Sequence, residues 1–376
     1  MAILHDTLQE IDKICQNPHN AVRIQLEKTG QKAVGCYLGY TPDELIHSFD
    51  ILPIGLWGEQ IEIAAAKKYY PAFYCAPVQQ TLEAGMQGKY DFLSAVLIPA
   101  LCDTLKTAGQ NWKVAVPQIE FIPLVYPHNR KADFAVRFLI SEYENILHRL
   151  ELISGRPFRE ESLSKSIAIY NDFRRAMREF LLLAVDYSHI ITPLVRHQII
   201  LASYFQDKSQ YTELLKTLTL ELSKKQPKTA GKKVILTGMC LDAHAALTAF
   251  EENGIQVVAD DLLQETRQLR VDVPDGKSGL ERLALRWSSM EGCSLLYDPE
   301  KLREKMLVEL CRKYKADGVV ICVTAFCDPE EYDYPLLKNT LKANGIPDLR
   351  LEISSDSGAE QIKTRIQAFA ELLSER

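Results

Sequence analysis

No stretch of this 376-residue chain stays apolar for long. The longest runs, such as residues 95–102, fall well short of the roughly 20 residues that a helix needs to cross a bilayer. The opening segment, residues 1–16, has the pattern of an amphipathic helix. It carries Glu10, Asp12 and Lys13 where an export signal requires an unbroken apolar core. A basic tract is also missing. Residues of both signs are interspersed to a net charge of −6, which argues against nucleic acid or a polybasic membrane anchor as partner. A soluble, cytoplasmic protein is the expectation. No Cys-x-x-Cys pair occurs, which excludes a zinc ribbon and the bacterial ferredoxin run. There is likewise no Gly-x-Gly-x-x-Gly or Walker-type loop, so a reaction that consumes ATP would need a second protein.

What the chain does have is a large apolar fraction, 47%, and nine cysteines. In a reducing cytoplasm these cysteines do not form a disulfide framework, and most are expected to be small buried hydrophobes. Cys36 and Cys322 fall inside apolar strands and fit that description, and Cys15, Cys240, Cys293 and Cys311 are weak ligand candidates. From Ala33 onward short apolar runs alternate with longer helical ones, the mark of a parallel sheet covered by helices. Strands are expected at residues 33–38, 95–101 and 119–125. A helix is expected at 42–49, with Thr41 as its cap, Pro42 at its first position and Asp43 and Glu44 in its first turn. Between residues 131 and 225 the apolar spacing is helical throughout, and Pro227 and Gly231 then suit a linker. A second alternating region follows, with strands at 234–236, 255–259, 318–325 and 349–353 and helices at 242–253, 281–290, 301–315 and 359–373. The expected architecture is α/β: two doubly wound, Rossmann-like parallel-sheet domains (residues 1–130 and 231–376) with a helical segment and linker at 131–230.

Each α/β half contains an apolar strand that runs into the same dipeptide, Cys102-Asp103 in the first and Cys327-Asp328 in the second. Two such pairs among nine cysteines are unremarkable by chance, and the shared strand-end context is what makes them informative. Ligands of open parallel sheets sit at the carboxyl ends of strands. Cys75 is a third candidate, in a loop where Pro71 and Pro77 oppose regular helix. Three soft thiolates from separate loops suit an iron–sulfur cluster or zinc, and they leave a coordination position open.

Several motifs together resemble the 2-hydroxyacyl-CoA dehydratase and benzoyl-CoA reductase family. They are Gly35 with Tyr40-Thr41-Pro42-Asp43-Glu44-Leu45-Ile46-His47 and Leu52-Pro53, Tyr90-Asp91, Pro99-Ala100-Leu101-Cys102-Asp103-Thr104, Trp112, and the run from Phe326 to Pro335. The resemblance extends from about Lys32 to the C-terminus. The segments 259–267 and 291–294 look most like the smaller, beta-type subunit. The resemblance implies a heterodimer with a paralogous, larger alpha-type subunit, and a [4Fe-4S] cluster held here by Cys75, Cys102 and Cys327, with room for FMN in the complex. It also implies a separate ATP-hydrolysing iron–sulfur activator that injects one electron. The implied reaction is loss of water from an (R)-2-hydroxyacyl-CoA to give a 2-enoyl-CoA through a ketyl radical, as in anaerobic amino-acid fermentation. One-electron chemistry is needed because the beta proton is not acidic and the hydroxyl leaves from the alpha carbon against normal polarity. Two alternatives are a benzoyl-CoA reductase-type subunit and an electron-relay subunit with no substrate site of its own.

Other residues have competing readings. Glu59 and Glu62, after Trp57-Gly58, are candidate general bases or else solvated surface carboxylates. His47 is by default a structural histidine. Asp260 and Asp261, with Arg267 and Arg270, suit a CoA phosphate, a partner subunit or an internal ion pair.

Overall fold

The computed structural model describes residues 2–229, 231–241, 244–354 and 358–375. Two helices, α1 (Ala2–Gln16) and α2 (Pro18–Thr29), lead into β1 (Lys32–Tyr37), α3 (Asp43–His47) and β2 (Ile51–Leu56). Then come α4 (Ala76–Met86), β3 (Leu93–Pro99), α5 (Asp103–Ala115) and β4 (Glu120–Leu124). The four strands pair in parallel in the order β2-β1-β3-β4.

Four helices fill the stretch with helical spacing: α6 (Ala135–Ser154), α7 (Glu160–Ala184), α8 (Pro193–Ala202) and α9 (Lys208–Ser223). Helix α1 packs on α8 and α9, and Leu4, Ile11 and Ile14 enter the same buried cluster as Phe173, Met177, Phe180 and Leu215.

The second sheet is built from β5 (Lys232–Gly238), α10 (His244–Glu252), β6 (Ile255–Leu262), α11 (Gly279–Ser289) and α12 (Leu302–Tyr314). It is completed by β7 (Gly318–Thr324), α13 (Asp328–Ala343), β8 (Asp348–Ile353) and α14 (Ala359–Ser374). Its order, β6-β5-β7-β8, repeats that of the first sheet, again all parallel. The two-sheet α/β architecture expected from the sequence is therefore present. The helix expected from residue 242 is described from His244 to Glu252, and residues 242 and 243 lie outside the described residues. Strand β7 is buried along its whole length, consistent with a continuous apolar run under helices on both faces, and β6 is equally buried although Gln256, Asp260 and Asp261 interrupt its apolar residues.

Two local features differ from the sequence expectation. Helix α3 is one short turn and its cap position is Pro42. The Thr41 hydroxyl donates to the Asp43 carboxylate at 2.5 Å, so it is not free to cap the backbone. Strand β2 contains Pro53 and Gly55, which hide its signal. It lies at the sheet edge, where proline is tolerated because one side of the strand needs no donor.

In both sheets the strand order reverses between the first and third strands, which opens a crevice at their carboxyl ends. The first sheet's core takes in Met239, Cys240, Leu280, Leu283 and Trp287 from the second half, so both crevices border shared buried material. Among the described residues no helix is long and apolar enough to cross a membrane.

Candidate functional site

Cys102 and Cys327 occupy equivalent places, each just beyond the third strand of its sheet and each at the N-cap of the helix that follows, α5 or α13. Cys75 is the N-cap of α4, with Pro77 in the first turn, where its missing N–H costs nothing. None of the three thiols makes a capping bond from its side chain in the usual Ser or Asp manner. The backbone N–H groups of Val78 near Cys75, of Leu105 and Thr104 near Cys102, and of Glu330 near Cys327 nonetheless act to lower the thiol pKa values. Phe326 reaches the position before Cys327 with φ of 64°, a left-handed conformation that turns the chain sharply at the strand end.

The three thiols are half-buried and pack against one apolar cluster. Burial pushes the Cys75 thiol up to about 12, and the nearby Cys102 and Cys240 add to the shift. Burial also raises Cys327 well above its ordinary value, with Glu330, Cys75 and Cys102 acting in the same direction. Cys102 is raised by burial too, and its backbone donors oppose the shift. Three thiols in one another's field, each facing helix N–H groups, form a soft, electron-rich donor set that needs a cation to become anionic. Among the described residues no group of three His, Cys, Asp or Glu side chains closes around a single metal ion.

Of the two carboxylates expected as candidate general bases, Glu59 has a cavity of its own and Glu62 faces outward. Glu59 lines a cavity of about 360 Å³ whose walls include His19, Trp57, Lys89, Tyr90 and Phe205 and none of the three thiols. Burial works to raise its pKa, but His19 and Lys89, both at 2.9 Å, hold it below the usual carboxylate range. Glu62 is exposed beyond β2. His47 has partners in Ser166 at 2.8 Å and Asp207 at 3.4 Å and is a structural histidine. Asp260 and Asp261 are buried: Asp260 pairs with Arg196, and Asp261 with Arg267, Arg270 and Arg303. The internal ion-pair reading accounts for all of them.

Sequence reasoning missed a buried ionic support directly behind Cys327. Glu330, 1% exposed, receives a bidentate pair from Arg303 at 2.9 and 3.0 Å and a bond from Ser294 at 2.7 Å. Burial pushes its carboxyl up, and Arg303 and Arg267 hold it below the ordinary range. The signal was faint, because Glu330 sits in an acidic first turn that reads as exposed. The loop after β1 was missed as well: Leu38, Gly39 and Tyr40 all have positive φ, and Tyr40 N–H donates to Gln268 at 3.1 Å.

Residues 38–373 match the family described as 2-hydroxyglutaryl-CoA dehydratase, D-component. The chain belongs to this family. It is 43% identical to the (R)-phenyllactyl-CoA dehydratase beta subunit of Clostridium sporogenes, over 96% of each chain. It is 41% identical to the lactoyl-CoA dehydratase subunit beta of Anaerotignum propionicum, over 99% of this chain and all of that one. With the (R)-2-hydroxyglutaryl-CoA dehydratase subunit beta of Acidaminococcus fermentans it shares 34%, over 97% and 98%. All three relatives are beta subunits of dehydratases, which are hydro-lyases, and they differ in the acyl group they are named for.

Proposed function

We propose that this chain is the beta-type subunit of an (R)-2-hydroxyacyl-CoA dehydratase, with Cys75, Cys102 and Cys327 as ligands of a [4Fe-4S] cluster. It works with a paralogous larger subunit and a separate ATP-hydrolysing iron–sulfur activator. The observation that carries the reading is the meeting of three helix N-caps from two sheets, each bearing a thiol that packs on one apolar cluster. Their donor chemistry fits such a group: soft sulfurs, backbone N–H groups aimed at them, and an apolar floor.

Held by Cys75, Cys102 and Cys327, a cluster would supply one-electron redox chemistry at low potential. The chain's own contribution is to hold and insulate it. The N–H groups of Val78, Thr104, Leu105 and Glu330 favour the anionic form of the sulfurs. The Glu330–Arg303–Arg267 network fixes the first turn of α13 and so the position of Cys327. Phe73, Phe326 and Tyr332, all exposed and close in sequence to the ligands, suit a face covered by the larger subunit.

The test is anaerobic purification with the larger subunit, followed by iron and acid-labile sulfide determination in wild type and in Cys75→Ala, Cys102→Ala and Cys327→Ala. A sharp loss from this chain in each variant is expected. Iron that is absent from intact anaerobic protein, or unchanged in all three variants, rules the assignment out.

A further inference from the structure

A fourth cysteine reaches the same place by the same topological route. Cys102 and Cys327 follow the third strands of their sheets. Cys240 lies two residues past the end of β5, the first strand of the second sheet, on the other side of the crevice where the strand order reverses. Its thiol is 6% exposed, and it belongs to the apolar cluster on which Cys75, Cys102 and Cys327 pack. Cys240 Sγ lies 3.8 Å from the Thr324 hydroxyl, and the Thr324 carbonyl accepts the Cys327 N–H at 3.0 Å. Cys240 is therefore one side chain away from the turn that presents a ligand.

The loop that carries Cys240 is fixed. Leu263 N–H donates to the Gly238 carbonyl at 3.2 Å, and Gln264 N–H to the Met239 carbonyl at 2.9 Å. Gly238 has φ of 147°, and a Cβ there would stand 2.1 Å from the Cys322 carbonyl oxygen, so only glycine lets β5 end so close to β7. Other thiols are engaged elsewhere: Cys293 accepts from Arg267, Cys15 donates to the Gln198 carbonyl, and Cys36 and Cys322 lie within strands.

Building on the proposed cluster, we infer that Cys240 is its fourth thiolate, so that protein closes all four irons and the cluster passes electrons without meeting substrate. Ligation is a ligand exchange: the sulfur–iron bond forms, the thiol proton goes to solvent, the small ligand otherwise completing that iron leaves, and no electron moves. A site closed by four cysteine thiolates is an electron store, whereas an open site is a place for catalysis.

The test uses the anaerobic complex with the larger subunit, comparing wild type with Cys240→Ala and Cys240→Ser. Mild ferricyanide oxidation is followed by EPR and by iron-57 Mössbauer counting, with and without added 2-mercaptoethanol. The expected result is that Cys240→Ala raises the three-iron signal roughly two-fold or more over wild type, and that its spectrum responds to the added thiol where this chain's wild-type cluster does not. Cys240→Ser, whose hydroxyl can still ligate, keeps four irons with shifted g values. Circular dichroism matched to wild type shows that each variant is folded. Spectra of both variants that coincide with wild type overturn the inference and leave the three-cysteine cluster standing. A wild type without iron in this chain, or a Cys75→Ala variant with the same iron content as wild type, overturns the cluster itself.

Discussion

At the scale of single residues, charge is placed with care. Glu330 is buried behind Cys327 and held by Arg303 and Arg267. Removing one member of a buried pair strands the others without compensation, which costs about 3–5 kcal/mol. Glu330→Gln is therefore expected to lower the urea midpoint strongly even in iron-free protein. A midpoint within experimental error of wild type would mean that the pair supports nothing. Glu265 offers a pH test. Burial works to raise its carboxyl, but Arg196 and His197 hold it down at about 2. A depressed carboxylate stabilises the fold fully above its unfolded value, about 4.3, and that stability is lost as pH falls toward 2. Unfolding midpoints of wild type measured from pH 5 down to pH 2 should fall with a component that Glu265→Gln lacks, and the variant should already be weaker at pH 7. Parallel pH profiles would refute this.

At the scale of elements, α5 holds Cys102 at its N-cap through close contact with β4. Gly109 in α5 faces Phe121 so closely that an added Cβ would lie 2.1 Å from the ring. Alanine is the better helix former by about 1 kcal/mol, but overpacking costs about 1–3 kcal/mol. With the ring of Phe121 in the way the net effect of Gly109→Ala is expected to be destabilising, by up to about 2 kcal/mol in urea unfolding, and greater stability than wild type would contradict this packing. The sequence pattern exposes such elements unevenly. Strands β1, β3 and β7 are legible because their apolar runs are buried on both faces, and the edge strand β4 because buried Ile122 and Leu124 alternate with more exposed residues. Strand β2 was not, because Pro53 and Gly55 interrupt a strand that only an edge position tolerates. Helices α2, α4 and α5 gave no firm signal, since α4 is buried along almost its whole length and carries no amphipathic stripe. At the site, Cys102 and Cys327 could be read from their strand ends. Cys240 follows the same rule but reads as a weak candidate in the sequence, because the apolar signal of β5 stops at residue 236, two residues short of the strand's end.

At the scale of the whole molecule, two sheets of identical strand order share buried material. Leu280, Leu283 and Trp287 of the second half join the core around β1 and α6. A fragment ending at Ser223 loses that cover and one of the three proposed ligands. It is expected to bind a hydrophobic dye such as ANS and to retain no iron after anaerobic reconstitution. A dye-silent, iron-loaded fragment would show that the first half is self-sufficient.

Because Cys75 and Cys102 stand on one sheet and Cys327 on the other, any group they hold is also a clasp across the chain. A cluster held there would, on its loss, take away more than an electron carrier: it would undo one tie between halves that still share buried core, and cleavage in the polar linker near Pro227 is where a protease would report that oxygen had reached the site.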